Sequence, residues 1–299
     1  MEKGSPLVVL GSSKRFPSWL HRPLPDGKEL FQTEDNIRKA RLHTVCEEAR
    51  CPNLVECYSK KTATFLVLGR ECTRACGFCD IAHAKKPVMP DLDEPERVAL
   101  AALELGLRHV VITMVARDDL NDGGAAHLVA CIEAVRKSNA TVEVLTSDFM
   151  GVHSSWDTVF RASPDIFNHN VETVERLTPK VRHTATYARS LELLAYAKKN
   201  QMRVKSGLMV GLGEARDEVV STLKDLASHG CDIVTIGQYL KPSRKKFLVQ
   251  EFIHPDQFKE YEAIGKELGI KHMFCGPFVR SSYNAGIFIE KTGQIIDST

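Results

Sequence analysis

From position 62 onward, short runs of β-branched and aromatic residues alternate with longer stretches whose apolar positions recur every three or four residues. The runs predict strands and the stretches predict helices, so the chain reads as a series of βα units. Strands are expected over 62–68, 109–113, 141–146, 166–171, 203–210 and 233–239, with 272–279 as a further candidate. Helices are expected over 94–105, 125–137, 190–200, 217–229 and 255–268. The first of these has the clearest start, with Asp93 as cap and Pro95 in the first turn. Six such units are too many for a small sandwich. They predict an α/β fold built as a partial or full barrel, here a partial (β/α)6-type TIM barrel, with function at the C-terminal strand ends. An open doubly wound sheet would give the same alternation. Before position 62 the chain reads as irregular, punctuated by Pro17, Pro23, Pro25 and Pro52. The expected organisation is an N-terminal extension (1–61), a barrel (62–270) and a C-terminal segment (271–299).

Composition narrows the class. The 299 residues are 43% hydrophobic, enough for a sizeable core, and a net charge of +2 leaves no footprint for nucleic acid or an anionic membrane. No apolar run reaches the ~20 residues of a membrane helix. The N-terminal apolar stretch, Leu7 to Leu10, stops at Gly11 and is too short for a secretory signal. A cytoplasmic protein is expected. Nine cysteines, an odd number without an export signal, argue against a disulfide framework. Six of them fall between Cys46 and Cys79, a density that points to metal or redox chemistry.

Directly after the first strand, Cys72, Cys76 and Cys79 are spaced C-x3-C-x2-C. Thiolates hold iron–sulfur clusters, and three ligands on a four-iron cubane leave one iron open to a small molecule. A structural zinc loop, with His83 as a fourth ligand, is the alternative on spacing alone. With Phe78 before the last cysteine, the motif resembles the signature of the radical S-adenosylmethionine (SAM) superfamily. That resemblance implies a 4Fe-4S cluster whose open iron chelates SAM, and reductive release of a hydrogen-abstracting 5′-deoxyadenosyl radical.

Upstream, Cys46, Cys51 and Cys57 form a second trio, spaced C-x4-C-x5-C. Three unrelated core cysteines are the plainer explanation, but three in twelve residues beside three more favour a second metal site. The run Leu42-His43-Thr44-Val45-Cys46-Glu47-Glu48-Ala49-Arg50-Cys51-Pro52-Asn53 is similar to the lipoyl synthase family signature. So is Arg280-Ser281-Ser282-Tyr283, and the similarity extends from Pro17 to Gly286. It implies a second, auxiliary 4Fe-4S cluster held by Cys46, Cys51, Cys57 and Ser282 and consumed as a sulfur source. It implies two sulfur insertions, at C6 and C8 of an octanoyl group on a lysine of a lipoyl carrier domain. The carriers would be acyltransferase subunits of 2-oxoacid dehydrogenases and the glycine cleavage carrier protein. Ferredoxin or flavodoxin would supply electrons. Read locally, Ser281 and Ser282 are simply turn residues after a strand. Two departures from the family pattern stand out. Tyr58 follows Cys57 where tryptophan is common, and the stretch from Lys241 to Val249 is unusually basic.

SAM carries an ammonium, a carboxylate, ribose hydroxyls and an adenine, so its site needs donors and acceptors near strand ends. Phe78, Asp118, Asn170, Glu172, Lys205, Glu214 and Gln238 are the candidates. Each could equally be a satisfied cap or loop residue. Gly211-Leu212-Gly213 lacks the third glycine of a dinucleotide fingerprint. Cys131, Cys231 and Cys275 read as small buried hydrophobes, and no histidine is assigned as a ligand. Two other functions fit part of the pattern. One is a radical SAM enzyme that thiomethylates RNA, which would add a basic nucleic-acid-binding domain. The other is a non-catalytic iron–sulfur or zinc protein.

Overall fold

The computed structural model describes residues 16–21, 27–282 and 285. Leu7 to Leu10, Pro23, Pro25, Tyr283, Gly286 and most of the C-terminal segment beyond 282 lie outside the described residues.

The extension is more regular than its prolines suggest. It contains α1 (Gly27–Lys39), β1 (His43–Thr44), α2 (Val45–Glu48) and α3 (Leu54–Ser59). Helix α1 is mostly polar, with Thr33 and Ile37 as its buried residues, so few apolar positions mark it in the sequence. Thr33 Oγ1 donates to Tyr58 O at 2.8 Å, and the Tyr58 hydroxyl meets Thr44 Oγ1 at 2.7 Å. Tyr58 is thus a buried residue whose polar tip is used, which accounts for a tyrosine at this position.

The strands that follow are β2 (Thr64–Val67), a two-residue pair β3 (Glu71–Cys72) and β4 (Ala82–His83), then β5 (His109–Met114), β6 (Thr141–Leu145), β7 (Ile166–Asn168), β8 (Val204–Val210), β9 (Ile233–Gln238) and β10 (His272–Gly276). One sheet runs β1-β2-β5-β6-β7-β8-β9-β10. From β2 to β10 neighbours pair in parallel, while β1 adds antiparallel to β2. The end strands β1 and β10 do not pair, so the barrel is partial. The candidate strand near 272 is real and forms the last parallel edge.

Helices α4 (Glu94–Glu104), α5 (Ala125–Arg136), α6 (His153–Arg161), α7 (Thr178–Val181), α8 (Tyr187–Lys199), α9 (Arg216–Ser228) and α10 (Pro255–Glu267) occupy the connections. Helix α6 has no counterpart in the sequence pattern, although Trp156, Val159 and Phe160 form its buried stripe. Asp93 stands at the N-cap position of α4 without capping. Its carboxylate reaches Arg41 at 3.2 Å and Arg97 at 3.5 Å instead.

Side chains alternate across a strand, so the sheet has two unlike faces. Val110, Ile112, Val142, Val144, Phe167, Val204, Val234 and Ile236 join the main apolar core. The other face is partly polar and holds Lys205, Glu143 and Asn168, all fully buried. Lys205 Nζ donates to both Glu143 oxygens at 2.8 and 2.9 Å, and Asn168 Nδ2 donates to Glu143 Oε1 at 2.9 Å. Burial opposes ionisation of Glu143, but the Lys205 charge prevails and holds its carboxyl below the usual range.

Breaking this pair strands a charge in the barrel. Lys205→Met should cost about 3–5 kcal/mol at neutral pH by denaturant unfolding. Without its partner Glu143 takes up a proton in the folded state, so the cost should be smaller at pH 5 than at pH 8. A cost independent of pH would contradict this reading.

Candidate functional site

The site begins where β2 ends. Leu68 adopts φ 70°, a strained conformation for a leucine. Three partners hold it there. Its N–H donates to Glu94 Oε2 at 2.9 Å, and its carbonyl accepts from Arg117 Nη1 at 3.2 Å. Its side chain fills the space beside Gly124, where an added Cβ would lie 2.5 Å away. Arg117 is fully buried and is itself fixed by Asp119 through two bonds of 2.8 Å. The chain therefore leaves the sheet in a set direction and carries Cys72, Cys76 and Cys79 onto the C-terminal end of the strands.

These three cysteines, with Phe78, border a cavity of about 290 Å³ that also touches Asn170, Glu172, Arg182, Gly207, Thr235 and Gly237. Two buried polar atoms on its wall, Asn170 Oδ1 and Thr146 Oγ1, have no hydrogen-bond partner. Asn170 Nδ2 donates to Glu172 Oε1 at 3.1 Å and to Ser281 Oγ at 2.6 Å, so the orphaned oxygen is held in place. A Cβ on Gly207 would come within 3.0 Å of that oxygen. Burial raises the Cys76 thiol to about 11 despite nearby Arg182, and raises Cys79 to about 12. Cys72 is raised in the same way. Thiols in this position ionise only against added positive charge, which is the chemistry of a metal-cluster donor set. A single zinc would draw its sulfurs to about 3.8 Å apart, given Zn–S bonds of ~2.3 Å. Among the described residues only Glu94, His127 and Cys131 bring three ligand atoms within 4.8 Å of one another. Neither cysteine trio is drawn that tight, so a larger group fits better. His83, the candidate fourth zinc ligand, directs Nδ1 at Cys72 O, 3.1 Å away. Glu94 and His127 already bond to each other at 2.7 Å.

The second trio surrounds its own cavity of about 90 Å³, lined by Cys46, Cys51, Cys57, His109, Arg280 and Ser282 among others. Cys46 rides on α2, whose N-cap Thr44 accepts from Glu47 N, and Cys57 rides on α3. Burial pushes Cys57 up to about 11 and raises Cys46 as well. Asn53 Nδ2 donates to Phe278 O at 2.7 Å, tying the extension to the segment before Ser282. Gly237 makes room for that segment, since a Cβ there would lie 2.0 Å from Val279 O. Cys51, Arg280 and Ser282 border both cavities. The structure thus brings together the cysteines and the serine singled out from sequence, in two groups that share a wall.

Residues 66–226 match the Radical SAM superfamily, and residues 3–51 match the N-terminal domain of lipoyl synthase of that family. A lipoyl synthase from Protochlamydia amoebophila is 59% identical over 297 residues, covering 97% of this chain and 91% of its own length. One from Oleidesulfovibrio alaskensis is 52% identical over 279 residues, covering 93% of this chain and 96% of its own. The chain belongs to the lipoyl synthase family. Among solved structures, Streptococcus suis SuiB bound to S-adenosylmethionine aligns with a TM-score of 0.58 at 13% identity, over 82% of this chain and 55% of that one. HydG, a maturase of the [FeFe]-hydrogenase, aligns at 0.57 and 15%, over 83% of this chain and 63% of that one. These likenesses concern the fold, a partial barrel shared across radical SAM enzymes. Superfamily membership implies a 4Fe-4S cluster and SAM. Among the described residues no helix is long and apolar enough to cross a membrane.

The residues expected to contact SAM divide into two groups. Phe78, Asn170 and Glu172 border the larger cavity. Asp118, Lys205, Glu214 and Gln238 do not, and each has protein partners. Asp118 receives two bonds of 2.7 Å from Arg74. Lys205 pairs with Glu143. Glu214 accepts from the backbone of Gly211 and Leu212. Gln238 donates to Glu251 O and accepts from Ile253 N. Conversely, Arg182, Thr146 and His169 line the cavity and were not anticipated. They lie outside any motif, and only the folded chain brings them there.

Beneath the cysteine loop runs an ion network. Arg74 Nη2 lies 2.6 Å from Asp148, which Arg189 Nε also contacts at 2.6 Å. Burial pulls the Asp148 carboxyl up, but Arg74, His169 and Arg189 outweigh it and hold it at about 2. Its stabilising effect is complete above the ordinary carboxylate pKa of ~3.9 and is lost as pH falls through about 2. Asp148→Asn should therefore unfold about 2–3 kcal/mol more easily at pH 7. Acid titrations followed by circular dichroism should show its gap from the parent narrowing from about pH 4 downward. A gap that stays constant would argue against the network.

Proposed function

We propose that this chain inserts sulfur at C6 and C8 of an octanoyl group linked to a lysine of a lipoyl carrier domain. The observation that carries the reading is the wall shared by the two cysteine-lined cavities, bordered on both sides by Cys51 and Ser282. When bound, SAM and the two clusters supply a hydrogen-abstracting radical and the sulfur that replaces the hydrogen.

The chain's own groups divide the remaining work. Cys72, Cys76 and Cys79 hold one 4Fe-4S cluster by three thiolates and leave one position for SAM. Asn170 Oδ1, which has no partner, and Glu172 would offer acceptors to the SAM ammonium, and Phe78 would offer it an apolar wall. Cys46, Cys51, Cys57 and Ser282 hold the auxiliary cluster. Ser282 would give that cluster one oxygen ligand beside three sulfurs, and an oxygen is the weaker donor to iron of this kind. Met114, Leu208, Met209 and Tyr239 on the cavity wall accept an acyl chain and exclude water from it. The acceptors are the carrier domains of 2-oxoacid dehydrogenases and of glycine cleavage. A ferredoxin or flavodoxin supplies the electron, and the reaction belongs in the cytoplasm.

Anaerobic reconstitution tests the ligand sets. The parent should bind about eight iron and eight acid-labile sulfide per chain. The triple variant Cys46→Ala, Cys51→Ala, Cys57→Ala should bind about four of each. The variant should still cleave SAM but form no sulfur-containing product from an octanoylated carrier. A parent that holds only about four iron, or zinc, would overturn the sulfur-insertion reading.

A further inference from the structure

The segment that leaves β9 is KPSRKKFLVQ, residues 241–250, and no aspartate or glutamate occurs from Ile233 to Gln250. Lys241, Arg244, Lys245 and Lys246 form no ion pair with a described residue. On the outer helices, by contrast, cations such as Arg38, Arg216 and Lys266 are paired with neighbouring carboxylates. An isolated run of charge is usually just a solvated loop. This one is fastened to the cysteine loop at several points. Ser243 Oγ donates to Asp80 Oδ1 at 2.6 Å, directly after Cys79. Phe247 N donates to Gly77 O at 3.3 Å, and the Phe247 ring occupies the space a Cβ on Gly77 would need. The Tyr239 hydroxyl donates to Phe247 O at 2.9 Å. Leu240 and Pro242 border the larger cavity. Lys180 adds a further cation, 5.7 Å above the Phe247 ring. Leu248 stands beside these charges with 65% of its surface exposed.

We propose that this basic rim is the docking surface for an acidic face of the carrier domain. The cations steer the carrier to the mouth of the cavity, and Leu248 gives it an apolar contact there. The proposal rests on the sulfur-insertion reading and names the surface through which its macromolecular substrate is recognised. Leu240 and Pro242 place this rim at the edge of the cavity that would receive a lysine-linked acyl chain. Because the rim is fixed to the loop holding Cys76 and Cys79, the docked carrier is also held in register with the reacting centre. Charge complementarity of this kind raises association rates and is weakened by salt, with a screening length of about 8 Å at physiological ionic strength.

The test compares the reconstituted parent with Arg244→Glu/Lys245→Glu, both exposed positions, and with Lys224→Glu on α9 as a remote control. Each is assayed on an octanoylated, acidic lipoyl carrier domain and on a short neutral octanoyl-lysyl peptide. In single-turnover assays the carrier concentration that gives half the maximal rate should rise about tenfold or more for the double variant with the maximal rate retained, and its salt dependence should flatten. Turnover of the peptide, and both activities of the control, should stay within about twofold. An unchanged half-maximal carrier concentration, or an equal loss on carrier and peptide, would overturn the docking proposal alone. So would salt-sensitive competition by a transfer RNA at the rim but none by the apo-carrier. A parent that converts neither substrate sinks the sulfur-insertion reading itself, and the docking surface with it.

Discussion

A charge or an ionisable thiol removed from water must be met by an opposite charge or by hydrogen bonds within a few ångströms. That constraint organises this molecule. Glu143 is tolerable inside the barrel because Lys205 meets it, and Asp148 because Arg74 and Arg189 do. The six clustered thiols follow the same rule in a different way. Most are raised by burial, and the protein sets no cation beside them sufficient to ionise them. Their environment is suited to a donor set whose counter-charge arrives with the bound group.

The same constraint explains the rigidity around them. The strained Leu68 persists because Glu94, Arg117 and the cleft at Gly124 each hold a different part of it. The cysteine loop starts from this fixed point and is then clamped against the 241–250 segment through Gly77 and Asp80. Polar pairs below and packing contacts above leave the loop little freedom before any cofactor is present.

Much of this was legible in the sequence, for identifiable reasons. The strands were visible because β-branched runs are buried on at least one face. The cysteine trios were visible because their spacing is improbable without a shared ligand. Ser282 was not visible locally, since a serine after a strand looks the same whether it ends a turn or faces a cavity. The family resemblance alone singled it out. Asp118, Lys205, Glu214 and Gln238 illustrate the opposite difficulty. A polar residue near a strand end carries no mark of whether protein or ligand satisfies it, and here the protein does. Helices α1 and α6 escaped because one is mostly polar and the other is short.

The link between Asn53 and Phe278 spans 225 positions of the chain. One wall of the smaller cavity is therefore made by a segment synthesised long before the other. At a synthesis rate of ~5–20 residues per second, roughly ten to forty-five seconds separate them. During that interval Cys46, Cys51 and Cys57 have left the ribosome without the serine that completes their enclosure. The enclosure of this cavity therefore waits until the segment carrying Ser282 has been made. Until then three free thiols stand in the growing chain without the wall that encloses them.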